Sequence, residues 1–227
     1  MRPMCNRYRA PDVQEIERYW NVRPRANVFW ASEVHPRSMA PFVRQSTDGN
    51  RELVVGHWGL IPHFAETARL RWQTNNARSE ELTRKPTFRH SWTQGQRCII
   101  PAASFDEPCW ETGKNVWWRF TRADGAPWAL AGLWNIWTDP EIGEMLESYT
   151  MLTINADSHP LMRRMHKPDP KLPTDAQDKR SVIVIEQPDL QTWLGGTKIQ
   201  AQELMRLAPA EVFAARPISS IESLRIQ

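Results

Sequence analysis

Cys5 follows directly on a methionine, in Met4-Cys5-Asn6-Arg7-Tyr8, and that placement allows chemistry that an internal cysteine lacks. If translation begins at Met4 and the initiator is removed, Cys5 becomes residue one. It then carries an α-amine and a thiol on adjacent carbons. Ordinary pKa values of about 8 and about 8.5 leave part of each group in its reactive form near neutral pH. Together the two nucleophiles can close a five-membered ring on an aldehyde. As an internal residue, Cys5 reads instead as a small buried hydrophobe. Met1-Arg2-Pro3 stand before it, so the first reading requires their absence from the working protein.

Three other segments carry chemistry-bearing side chains. Asn75-Asn76-Ala77-Arg78-Ser79-Glu80 brings two amides, a guanidinium and a hydroxyl within six residues. It could hold an oxyanion or phosphate, or form a capped turn. In Pro101-Ala102-Ala103-Ser104-Phe105-Asp106-Glu107-Pro108 an apolar stretch leads into two adjacent carboxylates. A desolvated Glu107 would be a general acid or base near neutrality, whereas a solvated one would belong to an ordinary loop. His166 lies among Arg163, Arg164 and Lys167, cations that favour a neutral imidazole able to donate one hydrogen bond and accept another. The other reading is a surface histidine in a basic loop. Cysteine, histidine and an acid or amide are also the parts of a cysteine hydrolase.

The elements that must position these residues are mostly strands. Short apolar or β-branched runs predict strands over 53–58, 97–101, 149–155 and 181–186. Two more, over 116–120 and 128–134, are expected to form a hairpin across Ala123-Asp124-Gly125-Ala126. Asp12 and Glu15 look like an N-cap and its partner for a helix over 12–20, with further helices over 188–194 and 199–207. Strands and helices do not alternate, which argues against a doubly wound sheet. The expected fold is α+β: a single domain, 1–227, with a curved, mostly antiparallel, barrel-like sheet and short peripheral helices. The polar, proline-rich segment 167–179 is expected to be an exposed loop within that domain.

Apolar residues make up 41% of the 227 and charged residues 24%, as in soluble globular proteins. No apolar run approaches the ~20 residues of a membrane helix, and no signal-peptide core is present, so a cytoplasmic location is expected. Cys5, Cys98 and Cys109 have neither disulfide-framework nor zinc-ligand spacing, so no metal is expected. A net charge of +3 favours an anionic partner without specifying nucleic acid. Twelve tryptophans are mostly core residues by expectation, while any that line a groove could stack on unpaired bases.

Taken in order, these segments resemble the SOS response-associated peptidase family, whose members form covalent crosslinks with abasic sites in single-stranded DNA. The resemblance rests on Met4-Cys5-Asn6-Arg7-Tyr8, Trp58-Gly59-Leu60-Ile61-Pro62, Asn76-Ala77-Arg78-Ser79-Glu80, and Arg97-Cys98-Ile99-Ile100-Pro101-Ala102 continuing to Phe105-Asp106-Glu107. Ala131-Gly132-Leu133-Trp134 and Thr150-Met151-Leu152-Thr153, followed by His166 and Arg180, complete it. It implies catalytic roles for Cys5, Asn76, Glu107 and His166. Cys5 would crosslink through a thiazolidine, Glu107 would shuttle protons, Asn76 would hold the N-terminal residue, and His166 would hydrogen-bond the opened sugar. Arg7, Arg78, Arg163 and Arg164 would meet phosphates, and Trp58 and Phe64 would stack on bases. The implied partner is single-stranded DNA bearing abasic sites, bound by a monomer that needs no cofactor and is nucleoid-associated when on DNA.

Some segments depart from the family pattern. Asp106-Glu107-Pro108 replaces Tyr-Glu-Trp, so Trp110 could supply the lost aromatic and Asp106 could raise the Glu107 pKa by repulsion. Asn27-Val28-Phe29-Trp30 alters the region of the DNA wedge, and Lys167-Pro168 with a longer loop replaces His-x-Arg. Two alternatives therefore stand beside the crosslinker: an autoproteolytic N-terminal-cysteine peptidase or amidase, and a non-covalent single-stranded DNA-binding module.

Overall fold

Strands buried on both faces need near-continuous apolar runs, and the longest strands of this chain have them. The structure is a computed structural model that describes residues 5–24 and 28–219. In chain order, the first half contains β1 (Tyr8–Arg9), α1 (Val13–Trp20), β2 (Arg23–Pro24), β3 (Glu33–Val34), β4 (Met39–Gln45), β5 (Arg51–Trp58), β6 (Asn76–Arg78) and α2 (Pro86–Thr93). Next come β7 (Arg97–Ala102), β8 (Ser104–Cys109), β9 (Val116–Arg122), β10 (Trp128–Thr138) and β11 (Met145–Asn155). β12 (Arg180–Val182), α3 (Leu190–Gly195), α4 (Lys198–Glu203) and β13 (Phe213–Pro217) complete the described elements.

β5, β4, β7, β10 and β11 pair in turn, and β11 returns to β5 through Ser148–His57 and Tyr149–Trp58. That pairing closes a five-stranded barrel, with β2, β6 and β12 added at its margins. A second sheet runs β13-β9-β8-β1-β3. The fold is α+β with mostly antiparallel sheet and short helices, as expected from the sequence.

Side chains alternate across the barrel wall and enter two cores. Phe42, Val54, Ile100 and Leu130 join Tyr8, Phe105 and Phe120 of the second sheet. Val43, Leu53, Ile99 and Leu133 join Ile16, Trp20, Trp92 and Trp193 of the helices. Gly132 sits where β10 is pressed between its neighbours: a Cβ there would lie 2.8 Å from the Cys98 sulfur and from the Thr150 carbonyl oxygen.

The expected helix at 12–20 is α1, and the Asp12 side chain caps it by accepting from the Glu15 N–H at 2.8 Å. Such a cap stabilises a helix by about 1 kcal/mol. α2, for which the sequence offered no expectation, has Pro86 at its start and buries Phe88 and Trp92, four residues apart on one face. α4 is shorter than the expected 199–207, beginning at a Thr197–Gln200 capping box and ending at Glu203.

The expected hairpin between 116–120 and 128–134 does not form. β9 pairs with β8 and β13, whereas β10 pairs with β7 and β11. The turn is present, with Gly125 at φ +77°, but it carries the chain from one sheet to the other. Turn chemistry is local and strand pairing is not, so this motif predicted the reversal without the partner.

Candidate active site

The second sheet brings the N-terminal segment against β8. Tyr8 pairs with Phe105, and the Asp106 N–H donates to the Arg7 carbonyl at 3.0 Å. This register sets Cys5 beside Glu107. The Cys5 thiol is buried, donates to the Arg7 carbonyl at 3.8 Å, and feels the charge of Glu107. Burial first, and then the negative charge of Glu107, push the thiol pKa well up, so at neutral pH the sulfur of this internal cysteine holds its proton.

β6 lies parallel to β11, with Asn76 opposite Met151. From there the Asn76 amide nitrogen donates to the Cys5 carbonyl at 2.8 Å. Its amide oxygen is buried with no hydrogen-bond partner among the described residues. Next to it, the Asn75 amide nitrogen donates to the Asn6 side-chain oxygen at 3.1 Å. Two neighbouring amides thus fasten two consecutive N-terminal residues.

His166 arrives from outside both sheets, in the irregular chain between β11 and β12. Its Nε2 lies 2.9 Å from Glu107 Oε2, and both side chains are buried. Its backbone has φ +61°, the left-handed region, and its N–H donates to the Pro108 carbonyl at 2.6 Å. Cys5, Asn76, Glu107 and His166, named from the sequence, therefore meet in one place. Such a set could serve as a nucleophile, a carboxylate–imidazole pair able to move protons, and an amide that grips the cysteine backbone. The described residues contain no group of three or more histidine, cysteine, aspartate or glutamate side chains placed to hold a metal. No described helix is long and apolar enough to cross a membrane.

The surrounding candidates divide into two groups. Trp58 is fully buried, its indole N–H donating to the Asn75 carbonyl at 2.8 Å and its ring edge-on to Tyr8; it is a core residue and not a surface for bases. Arg7 is also withdrawn. Its guanidinium is buried, 2.8 Å from Asp106 and stacked on Trp117, so it is an internal ion pair and not a phosphate contact. Asp106, on the other face of β8 from Glu107, is held by Arg119 as well, at 2.9 and 3.1 Å, so its carboxylate is paired with two cations. Phe64, by contrast, is 49% exposed and Arg163 is exposed. Arg78 is partly exposed and pairs with Asp178 at 2.5 Å. Arg164 is gripped by both oxygens of Glu111 at 2.7 Å and lies over Trp118.

Sequence reasoning passed over Trp72, which is 48% exposed and, with Arg37, Arg69, His57 and Asn75, lines a cavity of about 580 Å³. It lies in a polar stretch with no periodicity to mark it. A second cavity of about 450 Å³ opens at His166 between Trp110, Arg163, Arg164 and Lys179, so Trp110 does stand beside the site. Of the altered wedge region, Phe29 is almost fully exposed and the Trp30 indole donates to the Pro11 carbonyl at 2.9 Å. Asn27 lies outside the described residues, as do Met1 to Met4.

A two-sheet α+β fold with a cysteine, amide, carboxylate and imidazole gathered at its N-terminal strand defines a candidate cysteine-centred site. The chain matches the SOS response associated peptidase (SRAP) family over residues 4–221, and it belongs to that family. Relatives include "Abasic site processing protein HMCES" of Xenopus tropicalis, 25% identical over 94% of this chain and 65% of the relative. "Abasic site processing protein YoqW" of Bacillus subtilis is 36% identical over 65% of this chain and 66% of the relative. The chain thus spans just under two thirds of the length of these curated relatives. Among solved structures, a Bordetella bronchiseptica protein superposes with a TM-score of 0.84 at 36% identity, over 95% of this chain and 100% of the other. One from Bacteroides thetaiotaomicron shares the fold, with a TM-score of 0.78 at 22% identity over 95% of this chain and 93% of the other.

Proposed function

We propose that this protein processes abasic sites in single-stranded DNA, joining the lesion's aldehyde to Cys5 as a thiazolidine. The observation that carries the proposal is the convergence of Cys5, Asn76, Glu107 and His166 from four separate segments. The names of the relatives support the substrate class.

The reaction requires Cys5 at the N-terminus. Its α-amine attacks the ring-opened aldehyde, and the resulting carbinolamine loses water to leave an imine. The Cys5 sulfur then adds to the imine carbon. Its proton passes through Glu107 to the imine nitrogen, and the ring closes with a net loss of one water. The tethered thiol attacks at high effective concentration, which favours the ring over the open imine. Glu107 suits this work because the thiol beside it is held protonated and needs a base. Asn76 keeps its grip on the Cys5 carbonyl, and its unpartnered oxygen accepts from the new amine. His166, paired to Glu107, hydrogen-bonds the opened sugar's hydroxyl. Arg78 and Arg163 meet phosphates, with Arg164 available on release from Glu111, and Phe64 and Trp72 stack on unpaired bases. The protein acts as a monomer in the cytoplasm, associated with the nucleoid when bound to DNA.

Mass spectrometry first verifies a chain that begins at Cys5. Mixed with single-stranded DNA carrying an abasic site, it yields a conjugate that survives heating and denaturing electrophoresis. Cys5→Ala abolishes the conjugate, while Cys98→Ala and Cys109→Ala retain it. Absence of a conjugate from the verified protein overturns the proposal. Turnover of a peptide in its place would identify an N-terminal-cysteine peptidase, which the thiol–carboxylate–imidazole grouping could also serve, and salt-sensitive binding alone would identify a binding module.

A further inference from the structure

His166 faces a conformational difficulty. A non-glycine residue in the left-handed region crowds its Cβ against the backbone, and His166 holds that conformation with its imidazole on Glu107. Something must hold the backbone there.

Lys179 is placed to do so. Its Nζ is buried and donates to the Met165 carbonyl at 2.5 Å and to the His166 carbonyl at 2.6 Å. Those carbonyls belong to the two peptide planes on either side of the His166 Cα. The first plane fixes φ and the second fixes ψ, so one ammonium group constrains both dihedrals. An ammonium has three donors in a compact head, which suits two converging carbonyls better than the planar fork of arginine.

The lysine is itself anchored to the barrel end. Its N–H donates to Asp157 Oδ1 at 2.9 Å, and its carbonyl accepts from the Ala156 N–H at 2.7 Å. The preceding N–H, of Asp178, donates to Asp157 Oδ2 at 3.0 Å, and the Asp178 carboxylate pairs with Arg78 and Arg180. We infer that Lys179 is a positioning residue, whose two bonds to the backbone around His166 set the imidazole on Glu107. The inference rests on the proposed function for its effect on rate, but not for its geometry.

The test replaces Lys179 with methionine, which keeps length and removes the donors. The ring signals of His166 should shift in a proton–nitrogen correlation spectrum. Those of His159, whose ring is held by the Ala208 carbonyl, should stay in place. The conjugation rate at saturating abasic DNA should fall on the order of 10-fold to 100-fold, the scale of a misplaced catalytic group. In a His166→Ala background the same substitution should cause no further fall, because the lysine acts through that ring. Unchanged His166 signals, or an equal fall in the His166→Ala background, would overturn the inference. Lys179→Gln carries the same measurements if Lys179→Met does not fold, and unfolding of both would assign the lysine to the fold alone. A native chain that forms no conjugate defeats the proposed function, while the ring spectra still decide the role of Lys179.

Discussion

Glu107 and His166 meet at 2.9 Å, yet they are held in opposite ways. Glu107 sits in a strand, paired across to Trp118 in β9, with β1 on the other side of β8. The buried Arg7–Asp106–Arg119 cluster locks those three strands together on the opposite face. His166 has no ladder. It is kept in place by the Pro108 carbonyl, the Lys179 ammonium and the Asp157 carboxylate that anchors that lysine. Half of the pair is thus fixed by repetitive backbone pairing, and half by single polar contacts that each matter individually.

The largest effect should come from the strand side. Arg7→Ala leaves Asp106 buried with one partner fewer, and loss of a buried ion-pair partner costs about 3–5 kcal/mol. Chemical denaturation should show that loss, with DNA affinity per folded molecule nearly unchanged; a pure loss of affinity would restore Arg7 as a phosphate contact. Glu107→Gln should do the reverse, leaving the β8 pairing in place and slowing conjugation on the order of 100-fold, as for removal of a general acid–base group. A single-turnover assay checks it, and a rate within a few fold of the native protein would break the assigned role.

Asp157→Ala tests the loop side. It removes the acceptor for the Asp178 and Lys179 N–H groups and should cost about 1–2 kcal/mol. Native-state hydrogen exchange should localise the loosening to residues 156–179, with β8 protected as before. Acid should act in the same place. Burial raises the Asp157 pKa, but hydrogen bonds from Asn155 and from the Lys179 and Asp178 N–H groups outweigh it and hold the carboxyl below its ordinary value. Glu80 is likewise held low, where burial is outweighed by Arg180. Groups with depressed folded pKa values contribute stability that is full above about pH 4 and is lost as pH falls through the folded values. Denaturation midpoints should therefore decline below about pH 4, earlier for the loop than for the sheet. An effect on binding alone should follow Phe64→Ala, which leaves the fold intact and weakens single-stranded DNA binding by about 1–3 kcal/mol if a base stacks there.

The four residues that meet in the candidate site were all legible. Cys5 stood out by its neighbour Met4, and Asn76, Glu107 and His166 by lying in segments that matched a known pattern in order. The strands at 53–58, 97–101 and 149–155 were legible because two-sided burial demands unbroken apolar runs. Surroundings were harder to read. A tryptophan such as Trp58 has the same composition whether it faces a groove or a core, and an arginine such as Arg7 the same charge whether it faces phosphate or Asp106. Lys179 carried no signal, because its partners are backbone carbonyls, which every residue possesses.

By itself the sequence determined the kinds of groups present, the apolar runs that must become buried strands, and the caps and turns made by neighbouring residues, all short-range properties of the chain. Only the tertiary structure decided which strands pair across the Asp124-Gly125 turn, which charges are withdrawn into ion pairs, and how His166 is brought to Glu107 from 59 residues away. Those outcomes depend on burial and on partners distant in the chain, and local preference encodes neither.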